Sequence, residues 1–278
     1  MSVQRPRSLN RGLLLCLPAF LFLAVFLVGP LIVNLIQSFT GPDGHPGAGQ
    51  YLRIFGDVYY LGVLANTVVL SVAVTLASLM LGYPLAITIA RTGGAFKSLL
   101  IFLVVTPLLI NVVVRSFGWM VILGRSGFLN AILKALQLDT INLIGSWTAV
   151  AITLVHVLLP FMVLSIASAL EGIDGSLEDA AMTLGANPRR TFAHVVLPLS
   201  MPGIITGTLL VFSLSMGSFV SVMVIGSNAT MVLPLLVYEQ LNVASDWPFA
   251  AALGTVLVVV VTAATVMQLA LTGRGRQA

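Results

Sequence analysis

The feature that most constrains this chain is a series of long apolar stretches, each close to the length that crosses a lipid bilayer. A spanning helix needs about 20 mostly apolar residues. Six stretches meet this requirement, at residues 12–37, 61–90, 98–123, 145–170, 197–225 and 249–271. They are continuously apolar and lack the alternating polarity of membrane barrel strands, so they predict helices. We therefore expect an all-α, polytopic membrane protein with six transmembrane helices.

Composition supports a membrane environment. The chain is 58% hydrophobic and only 8% charged, whereas soluble domains carry about 25% charged residues. So few charges cannot cover a water-facing surface. The single cysteine, Cys16, excludes a disulfide within the chain and is interpreted as an apolar packing or lipid-facing residue.

The first apolar stretch resembles a signal peptide because basic residues precede it. Arg5, Arg7 and Arg11 would form the positively charged region. The stretch is too long for a signal peptide and has no small-residue cleavage site, so we expect a retained helix. The predicted organisation is an N-terminal segment over 1–11, a six-helix domain over 12–272 and a tail over 273–278.

The distribution of basic residues predicts the orientation. Six helices place both termini on one side, together with nine basic residues: Arg5, Arg7, Arg11, Arg91, Lys97, Arg189, Arg190, Arg274 and Arg276. The opposite side carries three, namely Arg53, Arg125 and Lys134. Because basic residues favour the cytoplasmic side, we expect both termini in the cytoplasm. The short basic clusters are explained by orientation, so no nucleic-acid partner is expected.

The loop over residues 171–196 has the pattern of a helix, a turn and a second helix. Glu178 and Asp179 lie early in the first helix, where negative charge complements the helix dipole. Gly185 can end that helix in a left-handed conformation, and Pro188 can begin the next one. Leu184, Phe192 and Val196 are expected to hold the two helices together. A separate amphipathic helix is expected over 128–136 at the outer interface.

A family resemblance rests on this loop. Asp179, Ala180 and Ala181 are followed by Gly185 after three residues, and then by Val195 and the Leu197–Pro198 pair. The pattern resembles the EAA loop of permease subunits of bacterial ATP-driven (ABC) importers, with Asp in place of Glu and Val in place of Ile. The resemblance implies a type I importer permease fold, in which this loop forms a coupling helix that docks on a separate ATPase. The implied coupling residues are Glu178, Asp179, Ala180, Ala181, Gly185, Ala186, Pro188, Leu197 and Pro198.

Two further segments are similar to a narrower family. The first contains Val114-Arg115-Ser116-Phe117-Gly118-Trp119, and the second contains Asp246-Trp247-Pro248-Phe249. Both resemble the first permease subunit of spermidine/putrescine importers, a subgroup that also includes permeases for opines, ferric ions and other small solutes. The resemblance therefore constrains mechanism more tightly than substrate, which stays open between polyamines, opine-like or amino-acid derivatives, and metal or oxyanion solutes.

The resemblance also implies a set of partners in the bacterial inner membrane. These are a second permease subunit, expected to be a different chain, two ABC ATPase subunits, a periplasmic solute-binding protein and the lipid. The chain has no Gly-x-x-x-x-Gly-Lys-Ser/Thr loop, so ATP and Mg would be used by the partner ATPase. We expect this chain to bind no cofactor and to be a transport subunit, not an enzyme.

Polar residues within the apolar stretches are candidates for the solute path. They are Asn111, Arg115, Ser215 and Ser218. A charge inside the membrane commonly faces a cavity, but Arg115 could equally reach back to the outer interface. The serines could equally serve close helix packing, with Gly217 between Ser213 and Ser221 as an expected contact. Three dispersed histidines show no metal-ligand spacing, so no metal site is expected.

The alternative function is a secondary transporter driven by an ion gradient. Such carriers are built from inverted repeats and use intramembrane acidic residues. The six apolar stretches contain no Asp or Glu, which disfavours this alternative. A membrane enzyme or assembly factor would need a catalytic cluster that the apolar stretches lack.

Overall fold

The computed structural model describes residues 17–41 and 45–273, with the side chains of 271–273 outside the description. Cys16 and the basic residues at both ends of the chain, on which part of the orientation prediction rests, therefore lie outside the described residues. Within the described ranges the regular elements are helical, apart from one isolated bridge between Thr40 and Pro46. The helices are α1 (Leu17–Ser38), α2 (Gly49–Gly56), α3 (Val58–Arg91), α4 (Gly94–Leu109), α5 (Val112–Leu123), α6 (Phe128–Ala135), α7 (Trp147–Glu171), α8 (Gly175–Thr183), α9 (Pro188–Met216), α10 (Val220–Ile225), α11 (Leu233–Asn242) and α12 (Trp247–Gly273).

The predicted number of spanning stretches is confirmed. Within the described ranges, six helical stretches are long and apolar enough to cross a membrane: Leu17–Ser38, Val58–Arg91, Val112–Ala135, Trp147–Glu171, Pro188–Met216 and Trp247–Ala270. The third of these comprises α5, a turn and α6, and α4 is a shorter apolar helix. The amphipathic helix expected over 128–136 is present as α6.

The prediction of a continuous helix over 98–123 was wrong, because the helix is interrupted between α4 and α5. Ile110 is extended, with φ −89° and ψ 131°. Pro107 lies in the last turn of α4 and has no N–H to continue the ladder. Asn111 then caps α5, because its side-chain oxygen accepts a hydrogen bond from the Val113 N–H at 2.8 Å. A favourable cap and a helix-disrupting proline explain the break inside an otherwise apolar stretch.

The helix expected over 197–225 also differs from the structure. Helix α9 begins earlier, at Pro188, and ends at Met216, with Gly217 as its C-cap and α10 following. A Cβ added at Gly217 would meet only carbonyls of its own turn, at 3.9 Å. The close helix contact expected there lies elsewhere in the bundle, at two other glycines of α9.

The chain forms two compact units. The first comprises residues up to 57 together with Val237–Val256. Within it, the Asn34 amide donates to the Thr255 hydroxyl at 3.1 Å, and Arg53 forms an ion pair with Asp246 at 2.9 Å. The segment before α2 carries the Thr40–Pro46 bridge, and α2 itself was not predicted from the sequence; residues 42–44 lie outside the description.

The second unit comprises Val58–Leu236 and the chain from Leu257 onward, and its core is formed by α3, α7 and α9. Glycines allow these three helices to approach closely. A Cβ added at Gly203 of α9 would lie 2.7 Å from the Ser165 carbonyl of α7, and one at Gly207 would lie 2.7 Å from the Met162 sulfur. Because lipid offers no hydrophobic driving force between helices, such close packing supplies much of the association energy.

Candidate functional site

The loop with the predicted coupling motif, here named the EAA segment (residues 171–198), folds as α8, a turn and the start of α9. Asp174 caps α8 by accepting the Ser176 N–H at 2.9 Å. This hydrogen bond holds the pKa of Asp174 below its usual range because it favours the ionised carboxylate. Glu178 lies in the first turn, where its charge complements the helix dipole.

The end of α8 is a Schellman turn centred on Gly185. The Gly185 N–H donates to the Met182 carbonyl at 2.9 Å, and the Ala186 N–H donates to the Ala181 carbonyl at 3.0 Å. Gly185 has φ +88°, a left-handed conformation that favours glycine. The predicted role of Gly185 in ending the helix is therefore what the backbone shows.

The second helix of the segment begins at Pro188, as expected. Asn187 caps it by accepting the Arg190 N–H at 2.9 Å, and Pro188 occupies the first position, where its missing N–H is not needed. The helix then passes through a π-helical turn, Phe192–Val196, immediately before Leu197 and Pro198. The motif residues thus frame a helix–turn–helix whose turn is built from local hydrogen bonds.

The surface of the EAA segment is shallow where the motif carries small residues. Asp179, Ala180, Gly185 and Pro188 are exposed. Ala181 and Ala186 are half-buried and line an open depression of about 570 Å³, together with Arg190, Thr191, His194 and Val195.

Leu184 does not hold the two helices together, and that expectation was wrong. Its side chain is 89% exposed, because it is the C-cap of α8 in a turn fixed by backbone hydrogen bonds. Val196 is buried, as expected. Phe192 packs edge-on against Tyr83 of α3, with ring centroids 5.8 Å apart. An exposed leucine at the tip of the segment is therefore a candidate contact residue that the sequence reasoning missed.

Two of the predicted solute-path residues, Asn111 and Arg115, lie at the break between α4 and α5, and the other two, Ser215 and Ser218, lie at or just beyond the end of α9. Asn111 is exposed at the break between α4 and α5, and Arg115 reaches across the break to hydrogen bond the Pro107 carbonyl. Ser215 is buried, and its hydroxyl has no hydrogen-bond partner among the described residues. Ser218 lies between α9 and α10 and donates to the Leu214 carbonyl in the last turn of α9 at 2.8 Å.

Neighbouring side chains show how the break is packed. The Trp119 indole N–H donates to His156 Nδ1 of α7 at 3.2 Å, and the hydroxyls of Ser116 and Ser221 lie 3.3 Å apart, which places α10 beside α5. His156 therefore has a hydrogen-bonding role within the bundle. In the described part of the chain, no three His, Cys, Asp or Glu side chains are grouped so that they could hold a metal ion.

Comparison with known families decides the class of protein. Residues 1–277 match the family described as the inner membrane component of binding-protein-dependent transport systems. The chain belongs to this family. It is a permease subunit of an ABC importer, a multi-pass inner membrane protein that works with an ATPase and a solute-binding protein, and the ATP is used by the ATPase. As a transport component it is not an enzyme.

Relatives of this permease include polyamine transport proteins. It is 34% identical over 248 residues to the spermidine/putrescine transport system permease protein PotB of Haemophilus influenzae, with 86% of each chain covered. It is 38% identical over 214 residues to PotB of Escherichia coli, covering 76% of this chain and 77% of that protein. A putative 2-aminoethylphosphonate transport system permease protein of Salmonella typhimurium is 26% identical over 262 residues, with 93% and 92% coverage.

Solved structures share the fold of this permease. A chain of a bacterial alginate ABC transporter, crystallised with an alginate-bound periplasmic protein, superposes with a TM-score of 0.84 at 18% identity and covers 98% of both chains. The predicted all-α importer permease fold of type I is therefore confirmed.

Proposed function

We propose that this permease forms half of the translocation path for a small amine-bearing solute of the polyamine type. The observation that carries the proposal is the identity of 34–38% to two spermidine/putrescine permeases over most of the chain. The more distant relative is named for 2-aminoethylphosphonate, which also carries an amino group. Opine-like and amino-acid derivatives share this chemistry and belong to the same proposal.

The proposed orientation places both termini and the EAA segment in the cytoplasm. The described basic residues support it, since Arg91, Lys97, Arg189 and Arg190 lie at or near the EAA segment and basic residues favour the cytoplasmic side. The proposed assembly has a second, different permease chain and two ATPase subunits. The solute-binding protein would dock on the opposite, periplasmic face.

Within this assembly, the EAA segment is proposed to dock on an ATPase subunit. The exposed Asp179 would make a polar contact, and the small Ala180 and Gly185 would permit close approach of the partner backbone. The exposed apolar Leu184 would be covered on docking, which would remove its side chain from water. The other motif residues, Glu178, Ala181, Ala186, Pro188, Leu197 and Pro198, would shape and support this surface.

The solute path is proposed to pass the break between α4 and α5. Interrupted helices in transporters expose polar backbone groups where a cavity is lined. Asn111 is exposed at this break and would contact the solute, while Arg115 would hold the break through the Pro107 carbonyl. Ser215 and Ser218 would contribute hydroxyls farther along the path.

An uptake assay in reconstituted vesicles tests the function. The permease is assembled with its second permease, ATPase and binding protein, and labelled spermidine and putrescine are supplied with the binding protein. Uptake should require ATP on the side of the membrane that carries the ATPase. It should persist when ionophores collapse the ion gradients. Uptake that stops with the ionophore and continues without ATP would support the secondary transporter instead.

A cysteine cross-linking experiment tests the docking surface. A cysteine at Ala180 should cross-link to the ATPase subunit, whereas a cysteine at Ala229, in a loop proposed to lie outside, should not. Both positions are exposed, so accessibility is matched. Cross-linking from Ala229 in place of Ala180 would refute the proposed orientation.

A further inference from the structure

An ion pair joins the EAA segment to the central helix of the bundle. Arg91, the last residue of α3, donates a hydrogen bond from Nη2 to Oε1 of Glu178 in α8. The two side chains are 36% and 24% exposed, so the pair lies at the rim of the protein and is partly shielded. An exposed ion pair of this kind contributes little to stability, so its loss should leave the fold intact.

The packing beside this ion pair is loose. An open pocket of about 260 Å³ lies between α8 and the end of α3, beside the start of α9, and its lining includes Ile87 and Arg91 of α3 and Glu178 and Met182 of α8. The Thr191 hydroxyl is buried and has no hydrogen-bond partner within the described ranges. Protein interiors are normally close-packed and transmit movement through direct contact. At this open pocket, α8 and α3 are instead joined by the Arg91–Glu178 ion pair.

The two adjacent acidic residues of α8 have different surroundings. Glu178 is partly buried and engaged with Arg91. Asp179 is exposed, and in the described part of the chain its carboxylate has no hydrogen bond or ion pair. Helix geometry points neighbouring side chains in different directions, so one acid faces the protein while the next faces outward.

The helix that receives the link is well placed to spread a displacement. Helix α3 packs with α7 and α9 to form the core of its unit. About two turns before its end, it also contacts α9, where the Tyr83 hydroxyl lies 2.9 Å from the Ser200 hydroxyl. A pull on Arg91 therefore acts on the end of a long helix that is embedded in the bundle.

We propose that the Arg91–Glu178 ion pair transmits displacement of α8 to α3, and so couples ATPase movement to movement of the bundle. The inference rests on the proposed docking of the EAA segment on an ATPase subunit. In this arrangement Asp179 faces the ATPase and Glu178 faces the bundle. Without the ion pair, α8 keeps its contacts with the start of α9 but loses its link to α3, so much more ATP is hydrolysed for each solute moved. Arg91 and Glu178 are thus positioning residues for transport.

Charge reversal in the full complex tests this proposal. The single variants Arg91→Glu and Glu178→Arg and the double reversal are reconstituted with the ATPase, second permease and binding protein, with spermidine as the probe. Arg91→Glu, which lies outside the docking surface, should still co-purify with the ATPase and hydrolyse ATP. The solute imported per ATP hydrolysed should fall about tenfold, a typical size for coupling between sites. The double reversal should restore the ratio, because it rebuilds the ion pair with opposite polarity.

The Lys97–Glu171 ion pair provides a matched control. It joins α4 to the end of α7 at 2.9 Å, and its side chains are 31% and 41% exposed. Lys97 lies outside the EAA segment, so Lys97→Glu should leave the import ratio within about twofold, as expected of an exposed pair. An equal loss in this control variant would show a general charge effect and overturn the proposal.

Further outcomes separate this proposal from the proposed function. An unchanged import ratio in both single variants, or a loss that the double reversal does not restore, would overturn the role of the ion pair while leaving the importer assignment intact. Loss of ATPase co-purification in Arg91→Glu would also overturn it, since the pair would then shape the docking surface. If the unmodified permease fails to co-purify with an ATPase, the docking itself is refuted.

Discussion

Gly203 lies so close to Ala169 that a Cβ added to the glycine would fall 2.6 Å from the alanine Cβ. The same Cβ would lie 2.7 Å from the Ser165 carbonyl, a backbone atom that cannot rotate away. We therefore expect Gly203→Ala to force α7 and α9 apart and to lower the free energy of unfolding by about 1–3 kcal/mol, as overpacking does. Thermal unfolding of the purified permease in detergent measures this effect.

Gly62→Ala is the control for that substitution. Gly62 lies in α3, and a Cβ there meets nothing within 4 Å. This variant should be as stable as the unmodified protein or slightly more stable, since alanine favours helix more than glycine does. Equal destabilisation by both variants would contradict the close contact at Gly203.

We expect substitutions at Gly185 to reduce transport because they disturb the turn after α8. Its φ of +88° is strained for other residues, least for Asn and most for a β-branched side chain. Gly185→Val should leave the amount of protein in the membrane unchanged and reduce spermidine uptake about tenfold, in line with coupling free energies. Gly185→Asn should retain more uptake, because Asn tolerates the left-handed conformation. Normal uptake by the valine variant at normal membrane levels would disprove the proposed role of this turn.

We expect the stability of the first turn of α8 to depend on pH, because Asp174 caps it. Its pKa is lowered by the Ser176 N–H, so it lies below the value in the unfolded chain, about 3.9. The cap is therefore fully effective above the unfolded pKa and is lost as pH falls through the folded pKa. Hydrogen-exchange protection of the first turn of α8 should be constant near neutral pH and decrease only in acid. Asp174→Asn caps the helix without titrating, so the same acid-induced loss in that variant would contradict the assignment.

Asn111 is expected to act on the solute as well as on the helix. Asn111→Ser keeps a capping oxygen for the Val113 N–H, whereas Asn111→Ala removes it and destabilises α5 by about 1 kcal/mol. If Asn111 contacts the solute, both variants should raise the KM for spermidine uptake, but only the alanine variant should lower the thermal stability. If only the alanine variant raised the KM, together with its loss of thermal stability, Asn111 would serve capping alone.

The end of α8 at Gly185 and the start of α9 at Pro188 illustrate what local sequence can predict. Both ends are fixed by hydrogen bonds within a few residues, so Gly185 and Pro188 were sufficient to place them, although the cap at Asn187 was not predicted. The motif spacing through Leu197 and Pro198 is equally local. Contacts between helices cannot be predicted in this way, because they depend on which helix lies opposite. The prediction placed the close helix contact at Gly217, whereas Gly203 and Gly207 make it.

The break at Ile110 shows a second limit of prediction from the sequence, which concerns where a helix ends. Pro107 and Asn111 are visible in the sequence, but prolines also lie inside α3 and α7 without ending them. Whether a proline ends a helix in the membrane depends on which groups satisfy the freed carbonyls. Here Arg115 hydrogen bonds the Pro107 carbonyl, a contact across a break that no spacing rule predicts. The exposure of Leu184 is similarly a consequence of the direction in which the chain leaves the turn.

By itself, the sequence determined the number of spanning stretches, their helical nature and the family motif. These follow from the length of each apolar stretch and from hydrogen bonds between near neighbours. Only the tertiary structure decided which faces of α3, α7 and α9 meet, and that Glu178 reaches Arg91 beside an open pocket. The physical reason is that nearly every face of a membrane helix is apolar. Periodicity therefore carries little information about partners, and close packing of small residues selects them instead.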